Sequence, residues 1–136
     1  MTPIQMAKIH AAAFTKQRPW SEMEFATLIQ SKLVFIIANA HCFALGRTVA
    51  DEVELLTLAT DPEQRRHGHA QDCLDRFHQE ARARQASTSI LEVALDNQAA
   101  FRLYQNNHYN IVAERPNYYR RPNGQCIAAL IMSRAL

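Results

Sequence analysis

Residues 54–70, Glu-Leu-Leu-Thr-Leu-Ala-Thr-Asp-Pro-Glu-Gln-Arg-Arg-His-Gly-His-Ala, constrain the fold of this chain more than any other stretch. An apolar run of strand length meets an Asp-Pro turn, then a basic segment with a glycine, then the start of a helical pattern. That order makes an anion site. A loop bending into a helix N-terminus points unpaired backbone N–H groups outward, and the helix dipole adds partial positive charge, so main chain alone can hold a diphosphate. Arg65 and Arg66 add to that field. The plainer reading is an ordinary strand-to-helix turn with a solvated basic edge, and the choice rests on what lies downstream. A P-loop and a dinucleotide fingerprint are both excluded, because the only glycines are Gly46, Gly68 and Gly124.

The chain has 136 residues, 48% of them hydrophobic, which predicts a single domain over 1–136 with a real core. Lys+Arg 15 against Asp+Glu 13 is too mild an excess to make nucleic acid the main ligand. Local anionic ligands stay open where basic residues cluster, at Arg65/Arg66 and at Arg115/Arg120/Arg121. Cys42, Cys73 and Cys126 are odd in number and widely spaced, as expected of buried thiols in a reduced cytosolic protein. His67 and His69 lie near Asp72 and Cys73 but lack a convincing third ligand, so no metal is expected. The first residues lack the pattern of a signal peptide, and no run approaches the roughly 20 apolar residues of a membrane helix. A soluble cytoplasmic protein follows, a monomer or weak dimer with no membrane partner.

Ile4, Ile9, Ala12 and Ala13 set out an amphipathic helix ending near Phe14. Ser21 and Glu24 have capping-box spacing, with Trp20 and Phe25 placed for a hydrophobic staple, which predicts a helix over 22–30. Apolar runs at 33–38 and 42–49, the second broken by Gly46-Arg47, suggest an antiparallel hairpin, and 53–60 is a third strand. Residues 71–85 carry Leu74, Phe77 and Ala81 on one helical face. A strand over 89–95, a helix capped by Asn97 and running to about 107, and strands at 109–113 and 127–132 complete the pattern. The polar and aromatic segment 116–125, with two prolines and a glycine, reads as the mobile loop. The fold class is mixed α/β (α+β).

Arg65-x-x-Gly68-x-Ala70 resembles the Q/R-x-x-G-x-G/A acyl-CoA signature of the GNAT N-acetyltransferases. Moving an acetyl group from a thioester to an amine needs a grip on the CoA diphosphate, a base for the ammonium proton and an acid for the departing thiolate. Glu92 is a carboxylate within an otherwise apolar strand, where desolvation would fit it to accept a proton. Its plainer reading is an edge-strand glutamate facing water. Tyr104 falls two helical turns after Asn97, and its plainer reading is a core tyrosine with a satisfied hydroxyl.

The combined string narrows the resemblance. Residues 54–70, Leu91-Glu92-Val93, Asp96-Asn97-Gln98-Ala99-Ala100, Leu103-Tyr104, Asn117-Tyr118-Tyr119 and the early Pro19-Trp20-Ser21 look like the bacterial ribosomal-protein-alanine N-acetyltransferases, the RimI group within GNAT. The resemblance runs from about residue 4 to residue 133. It implies the GNAT fold, a central mixed, mostly antiparallel sheet flanked by helices. It also implies direct transfer from acetyl-CoA to the α-amino group of a protein or peptide N-terminus, with a small-subunit ribosomal protein as acceptor. Glu92 then matches the general base and Tyr104 the general acid. Leu58, Ala59 and Thr60 match the strand segment whose backbone holds the acetyl carbonyl and pantetheine. Arg65 opens the acyl-CoA signature; Arg66, His67, Gly68, His69, Ala70 and Gln71 match the diphosphate turn, and Asn97 a further CoA contact. Trp20, Tyr118 and Tyr119 lie where the family receives the incoming peptide.

Three departures stand out. His69 puts a titratable ring beside the phosphates. His108 replaces a glycine at the end of a helix, so Asn107 is expected to take over any positive φ there. The chain also starts almost at its first helix, where the family usually has a preceding strand, which would leave a sheet edge exposed or covered by a partner. Two rivals remain: acetylation of a small amine or a lysine side chain, and an acyl-CoA-binding or ribosome-associated module without catalysis.

Overall fold

The computed structural model describes residues 1–136. Helix α1, Pro3–Ala13, opens with a reciprocal capping box: the Thr2 hydroxyl accepts from the Gln5 N–H, and the Gln5 side chain accepts from the Thr2 N–H. Helix α2, Glu22–Ile29, opens with the expected box between Ser21 and Glu24. The buried stripe of α1 differs from the expected one. Met6 and His10, one turn apart, face the sheet, while Ile4 is 56% exposed.

Strands β1, Val34–Ala38, β2, Cys42–Val49, and β3, Glu52–Thr60, form an antiparallel meander, and β2 runs unbroken through Gly46-Arg47. Helix α3, His69–Ala83, crosses back over the sheet to β4, Thr88–Ala94, which lies parallel to β3. Helix α4, Gln98–Asn106, leads to a final antiparallel hairpin of β5, Asn110–Arg120, and β6, Cys126–Ala135. The strand order is β1-β2-β3-β4-β6-β5, so the one parallel pair lies mid-sheet. The expected mobile loop over 116–125 is a correction: strand pairing continues to Arg120, and only the turn at 121–125 separates β5 from β6.

Period-two alternation divides the core between the two faces of the sheet. Phe35, Ala44, Val53 and Leu55 meet Leu74 and Phe77 of α3, whereas Val34, Phe43, Leu45 and Ala59 meet Met6 and Phe25 of α1 and α2. β2 is buried on both faces, which explains its continuous apolar run. The register between β2 and β3 slips by one residue. Leu45 faces Thr57 but Gly46 faces Leu55, so Leu56 is the extra residue of a β-bulge. β3 and β4 pair only from Glu52/Thr88 to Leu55/Leu91. The bend that a bulge introduces thus falls where β3 leaves β4.

Gly46 sits opposite this bulge, beneath the stacked rings of Phe35 and Phe77, whose centroids are 5.3 Å apart. A Cβ at Gly46 would come within 2.5 Å of Phe77 and 2.6 Å of Phe35. Gly46→Ala is therefore expected to cost about 1–3 kcal/mol by overpacking, read as a lower urea midpoint at unchanged m-value. A midpoint equal to the parent's would show that the aromatic pair gives way freely.

Two histidines are buried in hydrogen-bonded sites. His10 Nδ1 accepts from the Trp20 N–H at 3.1 Å, and His78 Nε2 bonds the Tyr109 hydroxyl at 2.8 Å, which also meets Ser89 Oγ at 2.7 Å. Burial is the main cause that lowers each ring from 6.5 to about 4. Between those values the unfolded chain binds more protons than the folded one, so their contribution to stability is lost as pH falls through this window. Above about 6.5 they add no further slope. His10→Asn keeps an acceptor for Trp20 and should reduce the pH dependence of unfolding between 4 and 6.5 by up to about one proton. An unchanged slope in pH-resolved urea titrations would contradict this.

Candidate active site

A cavity of about 650 Å³ opens where β3 and β4 part. β3 contributes Leu58, β4 contributes Glu92, and α4 contributes Tyr104 with its cap Asn97. The loop between α1 and α2 brings Trp20, and β5 brings Tyr118 and Tyr119. Residues scattered over a hundred positions of sequence thus line one space. On the β4 side, the backbone of residues 56–60 has no strand partner, although β2 pairs its other edge. The side chains of Ala59 and Thr60 do not reach the cavity. Ala59 is buried under α1 and α2, and Thr60 Oγ1 donates to Cys42 Sγ at 3.2 Å, so these two residues can offer only main chain.

Glu92 lies on an internal strand and faces the cavity, which removes the edge-strand reading. Its Oε1 accepts from the Tyr119 hydroxyl at 2.6 Å, and Arg115 Nη1 stands 3.8 Å from Oε2. The side chain is 27% exposed, so the carboxylate is held by partners and the cavity rather than sealed in apolar core. Burial, and then the bond to Glu92, push the Tyr119 phenol above its ordinary range. Tyr104 is buried to 7% exposure, and burial likewise pushes its phenol up, keeping it protonated at neutral pH. No protein group bonds its hydroxyl, yet no fully buried side-chain oxygen lacks a partner, so that hydroxyl opens on the cavity. A protonated donor and a carboxylate therefore face the same space.

The anion turn lies outside this cavity, at the same end of β3. Arg66 and Gly68 both have positive φ, 67° and 77°, and Gly68 caps α3 without a side-chain bond. From Arg65 to Gln71 no backbone N–H donates within the chain; the first that does is Asp72, to the Gly68 carbonyl. A run of free N–H groups shaped by left-handed residues is an anion-binding nest at a helix N-terminus. Arg65, Arg66 and His67 are exposed around it, Ala70 lies in the first turn, and the His69 ring sits between His41 and His67 at centroid distances of 5.0 and 6.0 Å. The Gln71 amide exchanges hydrogen bonds with Asn107 at 2.7 and 2.9 Å, which leaves its backbone N–H for a ligand. No group of three or more His, Cys, Asp or Glu side chains is arranged to hold a metal ion.

Other expectations need correction. His108 itself adopts the positive φ, 70°, while Asn107 stays at −105° because its amide is held by Gln71 and the Leu103 carbonyl. Cys126 is exposed, unlike Cys42 and Cys73. Among the arginines read as a local anion patch, Arg121 is buried and already paired, binding both oxygens of Asp96 at 2.9 and 2.6 Å. Sequence reasoning missed this pair and also His10, which lines the cavity. Nothing in the local pattern singles out either. No helix is long and apolar enough to cross a membrane.

Comparison with known proteins agrees with this geometry. The chain is 37% identical over 95 residues to the ribosomal protein bS18-alanine N-acetyltransferase of Haemophilus ducreyi, a match spanning 70% of this chain and 66% of that protein. It is 29% identical over 133 residues to the enzyme of the same name from Escherichia coli K12, covering 92% and 90%. The solved ribosomal-protein-S18-alanine N-acetyltransferase from Escherichia coli superposes with a TM-score of 0.87 at 30% identity, over 98% of this chain and 86% of that one. Ard1 from Thermoplasma volcanium shares the fold, with a TM-score of 0.82 at 23% identity, over 100% and 94%. The six-stranded sheet and its flanking helices are thus those of the N-acetyltransferases. Residues 7–109 match the Acetyltransferase (GNAT) family, and the chain belongs to that family as an acetyl-CoA-dependent N-acetyltransferase.

If the nest holds the diphosphate, its conformation matters more than its side chains. Nothing lies within 4 Å of a Cβ built at Gly68, so Gly68→Ala introduces no clash and tests backbone conformation alone. In the variant the empty turn can relax out of the left-handed conformation, and restoring it around the diphosphate costs up to about 1 kcal/mol, read as up to roughly fivefold weaker acetyl-CoA binding by calorimetry. Equal affinity with a lowered urea midpoint would show instead that the nest stands preformed.

Proposed function

We propose that this enzyme acetylates the α-amino group of a protein N-terminus, with a small-subunit ribosomal protein as acceptor. The carrying observation is that Glu92 and the free hydroxyl of Tyr104 face one cavity at the gap between β3 and β4. The relatives named for alanine acetylation of ribosomal protein S18 support the acceptor class. One GNAT domain spans residues 1–136 on this reading.

Acetyl-CoA binds along the free edge of β3, with Leu58, Ala59 and Thr60 offering main chain to the thioester and pantetheine. Residues 65–71 hold the diphosphate, and the amide of Asn97 adds a contact from the start of α4. The peptide enters between Trp20 and the Tyr118/Tyr119 segment. Glu92 accepts a proton from the substrate ammonium through an intervening water, and the freed amine attacks the thioester carbonyl. Backbone N–H donors of β3 stabilise the oxyanion that forms. As the C–N bond is made and the C–S bond breaks, Tyr104 gives its proton to the leaving sulfur, and the second proton shed by the attacking nitrogen as it becomes the neutral amide returns through water to Tyr104. Cys73 takes no part: it is wholly buried, and its hydrogen bond with Cys42, then burial, raise its thiol.

Glu92→Gln and Tyr104→Phe should each lower kcat by about one order of magnitude or more while the acetyl-CoA dissociation constant stays within about twofold. Assays should pair alanine-initiated peptides with polyamines and free amino acids as acceptors. Turnover on small amines only would replace the peptide reading, and unchanged kcat in both variants would remove these residues from the mechanism.

A further inference from the structure

We infer that Arg121 is a positioning residue for the acceptor half of the site, an inference that rests on the peptide-acetylation reading above. Arg121 and Asp96 form the one ion pair whose side chains are both less than a quarter exposed, at 7% and 24%. Both residues line the cavity. The pair's connections are what matter. Arg121 Nε and Nη2 bind the two Asp96 oxygens, Nη1 donates to the Lys16 carbonyl at 3.4 Å, and the guanidinium lies 5.3 Å from the Tyr119 ring centroid.

Each contact reaches a different wall. Asp96 immediately precedes Asn97, the cap of α4, which carries Tyr104. Lys16 belongs to the connection between α1 and α2 that also carries Trp20. Tyr119 donates its hydroxyl to Glu92. One planar guanidinium therefore fixes the base's partner, the start of the acid's helix and the loop beside Trp20 relative to each other. A bidentate fork with a third donor is a geometry that lysine cannot reproduce. Buried ion pairs contribute little net stability compared with apolar replacements, so the arrangement is better explained by geometry than by folding energy. The turn that follows supports the same placement: Arg121 N–H donates to the Gln125 carbonyl at 2.8 Å, and the Gly124 N–H returns to the Arg121 carbonyl at 2.9 Å.

The test uses the full chain, acetyl-CoA and an alanine-initiated hexapeptide, comparing the parent enzyme with Arg121→Lys, Asp96→Asn and the double variant. Each variant is expected to lose about tenfold or more in kcat/KM for the peptide, through kcat as well as KM, with acetyl-CoA affinity within about twofold of the parent. The double variant should be no worse than the poorer single one, since the two residues act as one unit. Uniform loss of peptide kinetics, acetyl-CoA affinity and thermal midpoint would mark the pair as merely structural and overturn the inference. So would unchanged kinetics. If Arg121→Lys does not fold, Asp96→Asn carries the comparison, and failure of both to fold likewise counts against positioning. A parent enzyme that acetylates no peptide overturns the functional reading and this inference together, whereas an active parent with unaffected variants overturns this inference alone.

Discussion

Two parallel strands that stop pairing midway leave backbone N–H and C=O groups that must find other partners or stay wet. β3 and β4 do so beyond Leu55 and Leu91, where the bulge at Leu56 bends β3 away. The sheet survives because β2 and β6 still bind the outer edges of the two strands. The gap survives because its lining is held from elsewhere, by Trp20 stacked on His10 and by Tyr119 bonded to Glu92. Gly46, opposite the bulge, lets Phe35 and Phe77 close over β2, so tight core packing and an open cleft meet within one strand spacing.

Much of this was legible in the sequence, for physical reasons that differ by element. The strand-turn-helix at 54–70 was readable because Asp61-Pro62 and Gly68 punctuate it, and α2 because its capping box has fixed spacing. The box at Thr2 and Gln5 carries the same signal at the same spacing. In sequence Pro116 and Asn117 look like a loop that ends β5; in the sheet they form a bulge, Asn117 at φ 55°, and pairing resumes at Tyr119. The positive φ after α4 fell on His108 because side-chain bonds tie down Asn107, a tertiary effect that propensity does not contain.

Within the site, Glu92 and Tyr104 each have a plain reading by themselves, an outward strand residue and a core tyrosine, and it is the resemblance to the GNAT family that singles them out. Their partners are not singled out. Arg121 and Asp96 are 25 positions apart and look like ordinary surface charges until the fold closes over them. His10 reads as a polar interruption of an amphipathic helix, and only its burial beside Phe14, Trp20 and Phe25 gives it a place. The motif marks two groups that line the cavity, while those that hold them in place become visible only in three dimensions.

Thr2, Ser21 and Asn97 each close the start of a helix with their own side chain, and α3 alone among the four starts with nothing but glycine. The first turn of α3 is therefore the end most ready to fray when no anion is bound. A ligand seated there completes a cap that the sequence leaves out, and anything that binds only the folded chain draws the folding equilibrium toward it. On the proposed reading, in which the diphosphate sits on this turn, supply of acetyl-CoA acts on the enzyme twice, once as the donor it consumes and once as a guardian of its folded population against unfolding and proteolysis.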